Sequence, residues 1–179
     1  MTTTLHLDWI QGQHRRILAI VDGLDDERLR AAPLPSGWTT LGMLLHLTEG
    51  VRFWCLEVML GQPRDRPAAG TGQDSPEGPF LAPADVLAAE VIDRFRSTTR
   101  EALDAVRPLD LTTPPAWWPE GEWGGWRLTT LNEVLLHLLV ETACHAGHLD
   151  AARELLDGGT YDYATGRIVH RANAADRLG

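Results

Sequence analysis

Residues 128–157, LTTLNEVLLHLLVETACHAGHLDAARELLD, read as one long helix. At about 100° per residue, His137, Glu141, His145 and His148 fall within an arc of roughly 80°, so four candidate metal ligands line one face. Leu135, Leu138, Leu139, Leu149 and Leu156 fan out on the flanks of that face, where they are expected to bury against neighbouring helices and draw the polar stripe inward. A carboxylate among imidazoles is costly to desolvate unless a positive charge compensates, and a divalent cation held by Glu and His is a common compensation. Glu141 and His145, four apart, and His145 and His148, three apart, each set two donors over one patch of helix, the geometry of a chelate. A single histidine on an apolar face is more often a hydrogen-bonded core residue than a ligand, but three with a glutamate on one arc favour a metal. One helix offers only two good ligands to one ion. A third has to come from elsewhere in the chain.

Pro33, Pro35 and Gly37 break the chain, and Trp38-Thr39-Thr40 opens a helix running to about Leu60, with Thr as N-cap and the Trp as a hydrophobic staple. Its apolar members Leu41, Leu44, Leu45, Val51 and Trp54 surround His46, which shares an arc with Gly50, Phe53 and Glu57. His46 is therefore the candidate for the third ligand. Glu49 and Glu57 are weaker candidates, read as solvated or paired with arginine. Gly37-Trp38-Thr39-Thr40-Leu41 followed by Leu44-Leu45-His46-Leu47 is echoed by Gly125-Trp126, Thr129-Thr130-Leu131 and Leu135-Leu136-His137-Leu138. The echo predicts two helical hairpins related by a pseudo-twofold axis.

Leu5 to Gly23 carries Leu7, Ile10, Ile17, Ile20 and Val21 at helical spacing; its His6 and His14 read as surface or rim residues, because Arg15 and Arg16 follow. Residues 61–83, GQPRDRPAAGTGQDSPEGPFLAP, are a Gly/Pro-rich connection of the length that serves either as a lid or as a plain surface excursion. Asp85 to Val106 is a further helix, with Leu87, Val91, Phe95, Ala102 and Val106 on one face and Arg94, Arg96 and Arg100 on others. The following TTPPAWWPEGEWGGWR holds four of the seven tryptophans. Trp117, Trp118 and Trp123 either wall a small-molecule cleft or cap one end of the bundle. After Asp157-Gly158-Gly159 the tail is polar and is expected to be extended or frayed.

A chain of 179 residues is expected to make one domain. The net charge of -9 supplies no basic surface for a phosphate backbone, which excludes nucleic acid as the partner class. Only two cysteines, Cys55 and Cys144, occur, both in apolar helical surroundings, and no secretory leader is evident, so a reduced, cytoplasmic protein is expected. Apolar runs are broken by Glu and His before they reach membrane-spanning length, so no membrane partner is expected.

ETACHAGHLDAARELLDGG at 141–159, preceded by VLLHLL at 134–139 and by the Gly-Trp-Thr-Thr start of the second helix with LLHLTEG at 44–50, resembles the DinB-like (YfiT-like) superfamily of metal-dependent proteins. It is most similar to the branch of mycothiol S-transferases. The resemblance implies an all-α fold: a four-helix bundle of up-down-down-up topology over residues 1–160, with 161–179 as a C-terminal tail. It also implies a metal site with one ligand from the second helix and an i, i+4 pair from the last, which fall on His46, Glu141 and His145. Many relatives carry three histidines; Glu141 departs from that pattern and matches the His-Glu-His set of the similar mycothiol-dependent maleylpyruvate isomerases, which bind zinc. His148 stands where many relatives have Gln, and whether it adds a ligand or steadies one stays open.

The activity implied is conjugation of a low-molecular-weight thiol, mycothiol or a relative, to an electrophilic small molecule at a zinc or nickel ion. His148 or His137 would move protons or orient a ligand, and a homodimer is expected. Two other classes fit the same residues. One is a metal-dependent hydrolase with Glu49 or His148 as general base. The other is a non-enzymatic, metal-stabilised bundle that forms a homodimer.

Overall fold

The apolar spacing from Leu5 onward folds as α1 (Thr3–Val21), whose buried face carries Leu7, Ile10, Ile17, Ile20 and Val21. The computed structural model describes residues 3–62, 80–119 and 125–170. A short helix, α2 (Asp26–Arg30), follows, capped by the Asp25 carboxylate, which accepts the Arg28 N–H. Next comes α3 (Thr40–Arg52), which starts where its threonines predict: Thr39 Oγ1 accepts the Gly42 N–H at 3.0 Å. Beyond Arg52 the same rod widens into a π-helical stretch, Phe53–Met59. In α4 (Ala88–Val106), Val91, Phe95, Ala102 and Val106 are buried. Leu87, assigned by spacing to that face, is instead the residue before the helix and is 63 % exposed.

The opening motif folds as α5 (Leu131–Asp157). Thr130 caps it by accepting the Glu133 N–H at 3.3 Å, and the Glu133 carboxylate reaches back to the Thr129 N–H at 2.6 Å. Gly158 ends the helix at φ 77°, a conformation open to a residue without Cβ. Among the described residues no helix is long and apolar enough to cross a membrane.

Two apolar clusters fix the chain directions. One gathers Leu7 and Ile10 from the start of α1, Trp54 and Met59 from the end of the α3 rod, Leu103 and Val106 from the end of α4, and Leu131 and Leu138 from the first half of α5. The other gathers Ile17 and Ile20, Leu41 and Leu44, Val91 and Phe95, and Ala146 and Leu149. So α1 and α5 run one way and α3 and α4 the other, the expected up-down-down-up bundle. Within it α1 lies chiefly against α5, and α3 against α4. Parallel neighbours cannot be joined by a tight turn, which accounts for the long connection between the α3 rod and α4. The two halves are therefore not the packed hairpins that the sequence echo predicts, because the consecutive helices α1 and α3, and α4 and α5, are not packing partners. An axis across the bundle exchanging α1 with α4 and α3 with α5 still preserves the observed pairings. His46 and His137 obey it too, each standing seven residues past its N-cap threonine, Thr39 or Thr130.

A polar layer separates the two clusters at the waist: His14, Thr48, Thr99 and Thr142 are all buried there. The Thr48 and Thr99 hydroxyls turn back onto the Leu44 and Phe95 carbonyls at 2.7 and 2.6 Å. This corrects the reading of His6 and His14 as surface or rim residues. Successive helical residues point about 100° apart, so the solvated neighbour of His14 says little about its own face. His14 is 6 % exposed, with its ring edge-on to Phe95, and His6 is 3 % exposed.

The helical class holds, with one addition. The segment after Asp157, expected to be extended or frayed, pairs as an antiparallel hairpin, β1 (Gly159–Asp162) with β2 (Arg167–His170). Asp150 of α5 anchors it: one carboxylate oxygen accepts the Tyr161 N–H at 2.8 Å and the other pairs with Arg16 at 3.1 Å. The Arg16 guanidinium lies over the rings of Tyr161 and Tyr163. Arg153, 4 % exposed, donates to the carbonyls of Ile20 and Asp22 at the end of α1 and pairs with Asp157, tying the two parallel helices together.

Burial, reinforced by the Arg15 charge, pushes the His14 imidazole down from 6.5 to about 4. In the unfolded chain it takes its proton near 6.5, so between those limits the unfolded state binds more protons and stability falls with acidification. The full contribution across that window is about 3 kcal/mol. Urea unfolding followed from neutral pH down to about pH 4 should show this loss in the wild-type chain and a shallower one in His14→Leu. Equal slopes would mean that His14 is not buried neutral.

Candidate metal centre

His46 from α3 meets Glu141 and His145 from α5 at the waist of the bundle. One donor atom from each of the three lies within 4.8 Å of the others. His46 Nε2 stands 3.2 Å from Glu141 Oε1, and the His46 and His145 rings meet edge to face with centroids 5.0 Å apart. The side chains of His46 and Glu141 are 23 % and 22 % exposed, so the group is neither solvated nor sealed. Gly50, one turn beyond His46, faces the carboxylate: a Cβ there would stand in ordinary contact, at 3.8 and 4.0 Å, with its two oxygens.

The charges suit a cation. Burial pushes the Glu141 carboxyl up, but the hydrogen bond and charge of His46, with His137 and His145, outweigh it and hold the carboxyl below its ordinary value. For His145, burial and then His46 push the imidazole down to about 4 against the opposing pull of Glu141, with His148 adding to the lowering. At neutral pH the site thus presents one anion and an imidazole with a free lone pair. A tetrahedral ion with bonds of about 2.0–2.1 Å spaces its donors about 3.3 Å apart, close to the His46–Glu141 separation. An N, O, N donor set fits zinc and also suits nickel.

The remaining candidates separate around this group. His137 Nε2 lies 3.6 Å from Glu141 Oε2, so the carboxylate is flanked by an imidazole on each oxygen. His148 is exposed and meets His145 instead, Nδ1 to Nδ1 at 3.4 Å. Glu49 and Glu57 are paired with arginines, Arg94 at 2.6 Å and Arg52 at 2.8 Å. In a π-helical turn each residue advances by fewer degrees than in an α-helix, so extrapolating the His46 face as far as Glu57 misplaces that residue.

Tryptophans close in from the Leu131 end of the bundle. Trp54 and Trp126 pack on His137 with centroids at 4.8 and 5.6 Å, and Trp118 packs on both tryptophans. Trp117 meets Phe53 and is 45 % exposed. Trp123 lies outside the described residues, as do residues 63–79 of the long connection. One neighbour of the site escapes a reading by spacing: Phe80, whose ring lies 4.6 Å from that of His46, follows a stretch with no periodicity.

Zinc titration of the metal-free chain should show one site per chain, weakened on the order of 100-fold or more in Glu141→Gln and His46→Ala. Unchanged affinity in both variants would dissolve the site. No curated protein and no solved structure matches the chain. A family model described as mycothiol-S-transferase matches residues 5–158, a span that includes all three converging side chains. The chain belongs to the mycothiol-S-transferase family, within the DinB/YfiT-like metal-dependent superfamily, and that membership points to a transferase.

Proposed function

We propose that the protein joins mycothiol, or a closely related low-molecular-weight thiol, to an electrophilic small molecule at a zinc or nickel ion held by His46, Glu141 and His145. The observation that carries this reading is the convergence of those three donors at a half-buried site beside an aromatic wall. A divalent cation there would keep an incoming thiol deprotonated at neutral pH, which supplies the nucleophile. Glu141 contributes the one negative charge of the donor set. His137 steadies its second oxygen, and the contact between His148 and His145 selects which ring nitrogen of His145 is free to ligate.

The nucleophilic sulfur belongs to the co-substrate and not to the buried cysteine of the chain, since burial pushes the Cys55 thiol up to about 12. Exposed Trp117 and Trp126, with half-buried Trp118, offer an uncharged surface suited to a flat or apolar electrophile. A hydrolase would need a base near the ion; of the two candidates, Glu49 is paired with Arg94, and exposed His148 meets His145. Both cysteines are free, which fits a reducing cytoplasm. Exposed Leu5 and Trp9 on α1 and Leu136 and Val140 on α5 stand at the same end of neighbouring helices, and a homodimer would cover apolar side chains of this kind.

The zinc-loaded protein should accelerate loss of free thiol in the presence of an alkylating dye such as monobromobimane. Chelation should lower that rate by at least about tenfold, because only about 3 % of a thiol of pKa about 8.5 is ionised at pH 7. Circular dichroism should show the helices retained. Thiol loss that survives chelation, or chelation that lowers only the melting temperature with no transfer to lose, would rule the reading out. Sedimentation should give a dimer that Trp9→Lys converts to monomer, and a monomeric wild-type chain would remove the dimer.

A further inference from the structure

Among the described residues Phe80 is the one non-glycine with positive φ, at 62°. Side chains bearing a Cβ rarely adopt this conformation, and it persists where the surroundings over-determine it. The first turn of α3 does so. Thr39 donates its backbone N–H to the Phe80 carbonyl at 3.2 Å and its hydroxyl to the same oxygen at 3.5 Å. The same hydroxyl accepts the Gly42 N–H, so the cap of α3 and the hold on Phe80 are one hydrogen-bonded unit. Gly42 completes the hold by having no side chain, since a Cβ there would fall 1.6 Å from the Phe80 oxygen.

The held residue points its ring at the candidate ligand. Phe80 meets His46 edge to face, with centroids at 4.6 Å and planes at 78°. His145 bounds the same imidazole at 5.0 Å and 80°, while the Nε2 of His46 faces Glu141. Filling a gap beside α3 needs only an apolar side chain in ordinary backbone, so packing alone does not account for a strained residue gripped at both its carbonyl and its ring.

We propose that Phe80 is a positioning residue of the metal centre. Clasped by Thr39 and Gly42, it sets the orientation of His46, so that the affinity of the site depends on an aromatic ring that supplies no ligand. The inference rests on His46, Glu141 and His145 being the metal ligands.

The test is cobalt(II) titration of the full metal-free chain, read by the visible d–d band, whose position and intensity report coordination geometry. Phe80→Gly removes the ring and also relieves the positive φ, so the variant is expected to fold. It should bind cobalt about tenfold more weakly, with a changed band. Phe80→Tyr keeps the ring and should retain the wild-type affinity and band. Wild-type affinity and band in Phe80→Gly, or an equal loss in Phe80→Tyr, would overturn the proposal. A wild-type chain that takes up no cobalt would overturn the metal reading itself, a result distinct from failure at Phe80.

Discussion

The Glu141 carboxylate, held ionised at the half-buried waist of a helical bundle, is the constraint around which the rest of the molecule makes sense. Desolvation works against that charge, and the structure answers with imidazoles on both oxygens, His46 on one and His137 on the other. Together the neighbouring histidines outweigh the desolvation and leave the carboxylate available as an anionic donor. The cluster of His46, Glu141 and His145 could hold a metal ion.

The bundle delivers these side chains to one level through its capping and its chain directions. Thr39 and Thr130 start α3 and α5 at matched distances from His46 and His137. The apolar clusters above and below leave a polar layer between them, where His14 and the buried threonines accompany the site across the core. Arg153 and the β-hairpin lie beyond, fastening the ends of α1 and α5. Rigid helices on each side are what a ligand set assembled from two of them requires.

Membership of the mycothiol-S-transferase family and the surroundings of the site point the same way. A thiol transferase needs a place that favours thiolate and a neighbouring surface for an uncharged electrophile. The donor group and the tryptophans are contiguous through His137, which touches Glu141 on one side and Trp54 and Trp126 on the other. Glu49, the carboxylate nearest in sequence to His46 on α3, is drawn off by Arg94.

The helices, their buried faces and the spacing of the donors were legible in the sequence, because helical periodicity is a local property and leucine spacing reports which face is covered. The i, i+4 relation of Glu141 and His145 followed from the same periodicity, which left the pair His145 and His148 equally open and made His46 the candidate from another helix. The resemblance to the DinB-like superfamily implied the set His46, Glu141 and His145. Tertiary structure alone decided the rest. Whether His14 faces water or core depends on what α4 places opposite it, and Phe95 is there. The pairing of 159–162 with 167–170 depends on Asp150 being within reach of Tyr161. Phe80 comes from a stretch without periodicity, and only the carbonyl cradle at Thr39 and Gly42 shows why it stands beside His46. Local patterns encode faces and intervals along one helix, whereas contacts between segments far apart in the chain exist only once those segments have packed.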